Sequence, residues 1–151
     1  MCRICLIVVV ATTVLASCSA NRLLLTPYDD LTVRAATDVN PDVAGQPSPI
    51  GVRVYELSGR STFDNLDFQD AYSNGAAQLS DQLLASAKYV LQPGEVRSER
   101  LELAEAARYV AIVAAYRDVE DAHWKLVYRI DPDWYQEHTA LLGKKEVLLE
   151  Q

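Results

Sequence analysis

Alternating apolar and polar positions run through most of the chain beyond its N-terminal region and predict short β-strands. The clearest case is residues 50–57, where Ile50, Val52 and Val54 would share one face and Arg53 would lie on the other. Such alternation places successive side chains on opposite faces of a sheet. With turn residues as boundaries, the same reasoning predicts seven strands, at residues 31–36, 50–57, 87–91, 96–103, 109–116, 124–130 and 146–149.

Residues 109–116 are apolar on both faces, which is typical of a central strand that is covered on both sides. One helix is expected at residues 75–84, where Ala76, Leu79 and Leu83 recur at helical spacing. Seven short strands over about 120 residues, interrupted by one helix, favour a mainly β fold. The pattern therefore predicts an antiparallel β-sandwich that forms a single domain.

A long loop is predicted at residues 37–49, between the first two strands. It contains Pro41, Pro47, Pro49 and Gly45 within thirteen residues, and this composition opposes both helix formation and sheet pairing. From these residues alone, a plain connector between sheets is favoured over a partner-binding surface.

The N-terminal region has the organisation of a bacterial lipoprotein signal. Arg3 precedes an apolar run at residues 6–14, which is long enough for a signal peptide and too short to span a bilayer as a stable helix. The run ends in Leu15-Ala16-Ser17-Cys18, which resembles a lipobox. We predict a signal peptide at residues 1–17, a lipid-anchored tether at 18–28 and a single β-sandwich domain at 29–151. An ordinary secretory signal with a chance cysteine and a buried first strand are the alternatives.

Cysteine usage supports lipid attachment at Cys18. The chain has three cysteines, and Cys2 and Cys5 would leave with the signal peptide. The mature domain could then form no internal disulfide, so its stability would come from its core. Three acyl chains on Cys18 would make membrane attachment effectively permanent. Ser19 follows, and the lack of an aspartate at this position resembles the outer-membrane address of lipoproteins.

The charge balance makes a nucleic-acid partner a poor expectation. The chain has 14 basic and 21 acidic residues, a net charge of −7, whereas nucleic-acid binders present a basic face. A hydrophobic content of 50% is that of an ordinary globular protein.

Candidate chemistry is sparse. His123 and His138 fall in predicted loops with no cysteine nearby, so no metal site is expected. Two acidic clusters lack the loop pattern of a calcium site and mark out no catalytic pair; they are Asp64, Asp67 and Asp70, and Asp118, Glu120 and Asp121. The sequence contains no nucleophile elbow, phosphate loop or dinucleotide motif. It therefore predicts no catalytic residue, no cofactor and no small-molecule substrate.

Several short motifs follow one another in a fixed order along the chain. After the lipobox they are Leu31-Thr32-Val33, Asn40-Pro41-Asp42, Gly45-Gln46-Pro47-Ser48-Pro49, Val52-Arg53-Val54-Tyr55-Glu56-Leu57, Phe63, Asp67-Phe68, Leu91-Gln92-Pro93-Gly94-Glu95, Tyr109-Val110, Ala114-Ala115-Tyr116-Arg117-Asp118 and Trp124. In this order they resemble the TssJ family, the outer-membrane lipoprotein of the bacterial type VI secretion system. The family often has phenylalanine where this chain has Tyr116.

The resemblance implies a transthyretin-like β-sandwich of about seven to eight strands with an added helix, and no enzymatic activity. It implies a lipid-anchored outer-membrane protein whose domain faces the periplasm and binds the periplasmic C-terminal region of TssM, an inner-membrane protein. In the family the loop between the first two strands contacts TssM. The implied partner-binding residues here are Asn40, Pro41, Asp42, Val43, Gly45, Gln46, Pro47 and Ser48.

Two other functions stay open at this point. One is a lipid-anchored periplasmic binding or envelope-assembly module of another system. The other is a lipid-anchored hydrolase that uses the acidic loops, which predicts a cleft with shifted carboxylate pKa values.

Overall fold

The computed structural model describes residues 26–150, which form eight strands and three short helices. The strands are β1 (Tyr28–Ala35), β2 (Ile50–Leu57), β3 (Leu83–Leu91), β4 (Val96–Glu102), β5 (Tyr109–Ala115), β6 (Lys125–Arg129), β7 (Gln136–Leu142) and β8 (Val147–Glu150). Between β2 and β3 lie the helices α1 (Ser61–Asn65), α2 (Phe68–Ser73) and α3 (Gly75–Gln78). The predicted signal peptide and Cys18 lie outside the described residues.

The strands form two four-stranded sheets that pack face to face, which confirms the predicted β-sandwich. The first sheet has the order β4-β1-β7-β8 and the second has the order β3-β2-β5-β6. Neighbouring strands are antiparallel except β1 and β7, which pair in parallel. No helix within residues 26–150 has the length and apolar character needed to cross a membrane.

The main hydrophobic core fills the space between the two sheets. Leu31 and Val33 of β1 face Val52 of β2 and Ile112 of β5, and all four side chains are fully buried. The positions on β1 and β2 follow the period-two alternation in the sequence, so the buried faces of these two strands were predictable.

A second, smaller core covers the outer face of the second sheet. Tyr55 and Val113 point away from the first sheet and pack against Phe63, Ala71 and Leu79 of the helical segment. The Tyr55 hydroxyl donates a hydrogen bond of 2.7 Å to the carbonyl of Ala71. β5 is therefore covered on both faces, as its doubly apolar sequence predicts.

Two details of the predicted elements were wrong. The expected helix at residues 75–84 is helical over Gly75–Gln78, and Leu83 already begins β3 by pairing with Leu57. Pairing along β2 overrides the helical spacing of the leucines. β7 was not predicted, because its inward positions include His138 and Ala140 rather than a run of large apolar side chains.

The helical segment contains two helices that periodicity does not indicate. Asp67 caps the start of α2, because its carboxylate accepts a 2.8 Å hydrogen bond from the backbone amide of Asp70. Aspartate is a favoured residue at this capping position, so this signal was available in the sequence.

Candidate partner-binding site

The loops of the sandwich gather at two opposite ends. The chain enters β1 at Tyr28 and leaves it at Ala35, so the segment before β1 and the loop after it lie at opposite ends of the strand. An eight-residue strand spans about 25 Å. We call the end with residues 36–49, 92–95, 116–124 and 143–146 the loop end, and the end with residues 26–27, 103–108 and 130–135 the tether end.

Asn40 holds the base of the β1–β2 loop against its neighbours. Its side chain is 3% exposed, and its backbone has a φ of 49°, which asparagine tolerates better than most residues. Its side-chain amide donates to the carbonyl of Pro49 at 2.7 Å, and its side-chain oxygen accepts from the backbone amide of Arg117 at 2.7 Å. Its backbone amide donates to the carbonyl of Lys144 at 3.3 Å. One residue thus joins three segments of the loop end.

Asp42 shapes the tip of the same loop. One oxygen of its carboxylate accepts hydrogen bonds from the backbone amides of Ala44 and Gln46, at 2.8 and 2.9 Å. The backbone amide of Asp42 donates to the carbonyl of Gln46 at 2.8 Å, and Gly45 takes a φ of 79° to close the turn. The tip is therefore a tight turn built from its own residues.

The loop separates into a buried base and an exposed tip. Val39 is fully buried in the main core, and its carbonyl accepts from the amide of Ser48, which is also buried. At the tip, the Val43 side chain is fully exposed. An apolar side chain held in water on an ordered turn is a feature that a protein partner can use.

A groove of about 430 Å³ runs beside the tip. It is lined by Pro41, Asp42, Val43, Arg117, Asp118 and Lys145. The Lys145 ammonium donates to Asp118 at 2.6 Å and lies 3.8 Å from Asp121, and the hydrogen bond to Asp118 raises the pKa of Lys145. The groove therefore places an apolar tip next to an exposed ion pair.

The structure gives the predicted partner-binding residues two different roles. Asn40 and Ser48 are buried and hold the loop, and Asp42 shapes its turn. The residues free to touch a partner are Pro41, Val43, Gly45, Gln46 and Pro47, all of them at least partly exposed. Sequence reasoning missed Arg117, Asp118 and Lys145, which no local pattern links to the loop.

One histidine ring and several carboxylates of the acidic clusters bond to protein groups. His123 is exposed and its backbone forms an isolated parallel β-bridge with Glu146, whereas His138 lies on β7. The expectation that His138 lies in a loop was wrong, and its ring bonds to Asp29 at 2.8 Å. In the first acidic cluster, Asp64 pairs with Arg60 at 2.7 Å. Within residues 26–150, no group of three or more His, Cys, Asp or Glu side chains could hold a metal ion.

Comparison with known proteins agrees with the fold and the resemblance. The family model described as "Type VI secretion lipoprotein, VasD, EvfM, TssJ, VC_A0113" matches residues 27–145. No curated protein sequence matches the chain.

Three solved structures are similar over most of their length. The TssJ1 lipoprotein of Pseudomonas aeruginosa is 28% identical with a TM-score of 0.80, over 83% of this chain and 96% of that one. The Lip protein of Serratia marcescens, a membrane-bound type VI component, is 23% identical with a TM-score of 0.73, over 84% and 98%. A chain in the structure described as "T6SS protein TssM C-terminal domain (869-1107) from EAEC" is 24% identical with a TM-score of 0.67, over 82% and 98%.

Proposed function

The chain belongs to the type VI secretion lipoprotein family that includes TssJ, and we propose that it anchors the membrane complex of that system at the outer membrane by binding the periplasmic C-terminal region of TssM. Acyl chains on Cys18 hold the protein on the membrane, and the sandwich faces the periplasm. The β1–β2 loop makes the contact with TssM. The protein acts by attachment and not by catalysis.

The observation on which the proposal rests is the placement of the loop relative to the tether. The segment that leads back to Cys18 joins β1 at Tyr28, and the β1–β2 loop leaves β1 after Ala35. The strand between them holds the loop about 25 Å from the tether. A protein fixed to the outer membrane at one end thus offers the loop toward a partner that reaches across the periplasm.

The order of the loop supports its role as a contact surface. Asn40 and Asp42 fix the backbone around the tip by hydrogen bonds of 2.7 to 2.9 Å. Binding through a loop that is already ordered loses less conformational entropy than binding through a flexible one. Val43 then supplies an apolar side chain that a partner pocket can bury.

Lipid attachment strengthens this contact without adding any protein surface. Confinement to a membrane raises the effective concentration of the loop near a partner in the same envelope. A moderate affinity between the loop and TssM is then sufficient for a stable complex. One of the similar chains occurs in a structure whose description names the C-terminal domain of TssM, and this supports TssM as the partner.

The experiment is a calorimetric titration of residues 26–151 with the periplasmic region of the cognate TssM. We expect saturable binding that Val43→Asp weakens by about tenfold or more, because the substitution places a charge in the contact. Leu84→Asp is the matched control, since Leu84 is an exposed apolar residue near the start of β3, at the tether end and away from the loop.

The possible outcomes distinguish an error in the assigned binding surface from an error in the assigned partner. Equal weakening by both variants, or by neither, would move the interface away from the loop. No binding of the unaltered protein at tens of micromolar would contradict TssM as the partner and favour an envelope-assembly module of another system.

A further inference from the structure

An exposed aromatic patch lies at the tether end. Trp134 and Tyr135, on the loop between β6 and β7, are 68% and 49% exposed and are among the most exposed large apolar side chains of the described residues. The Tyr135 ring lies 4.8 Å from the ring of Tyr28, the first residue of β1. Tyr28, Trp134 and Tyr135 are called the aromatic patch below.

The loop that presents the aromatic patch is ordered by its own hydrogen bonds. The side chain of Gln136 donates to the carbonyl of Asp131 at 2.8 Å and accepts from its amide at 3.1 Å. The backbone amide of Trp134 donates to the same carbonyl at 3.3 Å. These contacts fix the backbone that carries Trp134, so its exposure is built into the turn.

The tether brings the aromatic patch close to the membrane. Nine residues lie between Cys18 and Tyr28, so the distance from the acylated cysteine to Tyr28 is limited to about 35 Å at full extension. Tyr28 is itself a member of the patch, so the chain leaves the domain from within it. The surface of the domain that the tether holds nearest the lipid is thus its aromatic one.

We propose that the aromatic patch rests in the headgroup region of the membrane that holds the acyl chains of Cys18. The inference depends on the proposed lipid anchor and adds a defined orientation to it. Trp and Tyr are favoured at membrane interfaces because each combines an apolar ring with a polar group that stays hydrated. Docking of the patch directs β1 along the membrane normal, so the β1–β2 loop points away from the lipid.

The charges around the aromatic patch indicate which lipids it fits. The Arg100 guanidinium lies 3.8 Å from the centre of the Tyr28 ring. Its Nε and Nη2 atoms both donate hydrogen bonds to the carboxylate of Asp30, which offsets its charge. Farther along the same end, Arg129 is accompanied by Asp131 in one groove. Positive and negative groups alternate, so attraction to anionic lipids is weak and zwitterionic headgroups suffice. Docking should therefore depend little on salt.

The test uses the two tryptophans of the chain, which lie at opposite ends of the sandwich. Trp124 is partly buried against Phe68, with ring centres 5.5 Å apart, and serves as the internal reference. The acylated full-length mature protein is reconstituted into phosphatidylcholine–phosphatidylethanolamine vesicles, with and without brominated phosphatidylcholine. The matched variant is Trp134→Phe, which removes the exposed ring's emission and leaves Trp124 unchanged.

The expected result is a loss of emission with brominated lipid, and a blue shift on reconstitution, in the unaltered protein and not in Trp134→Phe. Equal emission with and without bromine, in a protein that floats with the vesicles, would overturn membrane docking of the aromatic patch and leave the proposed lipid anchor standing. Failure to float would overturn the anchor together with this inference. A Trp134 response to the TssM periplasmic region, with none to lipid, would assign the patch to a protein partner and overturn the inference.

Discussion

Asn40 at the loop end and Asp29 at the tether end are buried polar side chains that bond to different kinds of partner. At the loop end, Asn40 bonds to backbone groups of neighbouring segments. At the tether end, Asp29 is fully buried and bonds to the side chains of Tyr128 and His138, at 2.9 and 2.8 Å. At the loop end a side-chain amide thus bonds to backbone groups, and at the tether end a side-chain carboxyl group bonds to other side chains.

The kind of partner determines how each end of the sandwich tolerates substitution. A backbone partner is present whatever residue supplies it, so the shape of the loop end depends mainly on Asn40 itself. A side-chain partner disappears on substitution, so the tether end needs Asp29, Tyr128 and His138 together. Buried polar groups left without partners are costly, and the comparison therefore predicts different patterns of sensitivity.

The largest effect is expected from Asp29→Ala. The substitution leaves the buried hydroxyl of Tyr128 and one ring nitrogen of His138 without a partner, and we expect a loss of about 3 kcal/mol of unfolding free energy. Urea denaturation of residues 26–151 measures it. Asp30→Ala is the neighbouring control, because Asp30 forms an exposed pair with Arg100, and it should change stability far less. Equal losses in the two variants would show that the Asp29 network contributes no special stability.

Asn40→Gly should cost about 2 kcal/mol, since it removes both side-chain hydrogen bonds and keeps the backbone free to adopt its positive φ. Asn40→Ala should cost about 1 kcal/mol more, because alanine is strained in the left-handed region. The same denaturation experiment separates the two contributions. An Asn40→Gly protein of unaltered stability would mean that the loop is held by other contacts.

A double-mutant cycle tests the contrast between the ends directly. Asp29→Asn and Tyr128→Phe should couple by about 1 kcal/mol, because the two side chains bond to each other. Asn40→Gly and Arg117→Ala should add with no coupling, because the backbone amide of residue 117 remains in the second variant. Coupling of similar size in both cycles would remove the distinction drawn here.

Glu56 is a buried carboxyl group, like Asp29, but its partner is a backbone group, as for Asn40. Substitution of Glu56 should change stability least. It is buried and accepts a 2.9 Å hydrogen bond from the backbone amide of Ala104, and burial raises its pKa. A raised pKa means that its contribution to stability is present at low pH and is lost as pH rises through the pKa of the folded state. Glu56→Gln should therefore raise the melting temperature at about pH 7, with the gain shrinking toward about pH 4. A gain that grows as pH falls would contradict this assignment.

Much of the fold is predictable because it rests on local patterns. Alternation in residues 50–57 and the doubly apolar residues 109–116 identify the central strands, and prolines identify the β1–β2 loop. β7 escapes prediction because its inward positions include the half-buried His138, whose place depends on Asp29. That pairing joins residues far apart in sequence, and no periodicity reports it.

The candidate site divides along the same line. Composition identified the segment as a loop, and the family resemblance alone implied that it binds a partner. The buried position of Asn40 and the exposed position of Val43 at the tip required the structure. Asp118 and Lys145 reach the groove from two other loops, so they could not be assigned from local sequence. The aromatic residues at the tether end gave no signal, because isolated aromatics in a sequence are more often part of a core.

The most direct test of the proposed contact is cross-linking in cells that assemble the secretion system. Cys18 is the last cysteine in the sequence, so Val43→Cys places a free thiol at the loop tip of a protein whose other mature cysteine carries lipid in our account. A short thiol-to-amine cross-linker should join Val43→Cys to TssM and leave Leu84→Cys, at the tether end of β3, uncoupled. Cross-linking of Leu84→Cys to TssM with none from Val43→Cys would contradict the assignment of the β1–β2 loop as the contact.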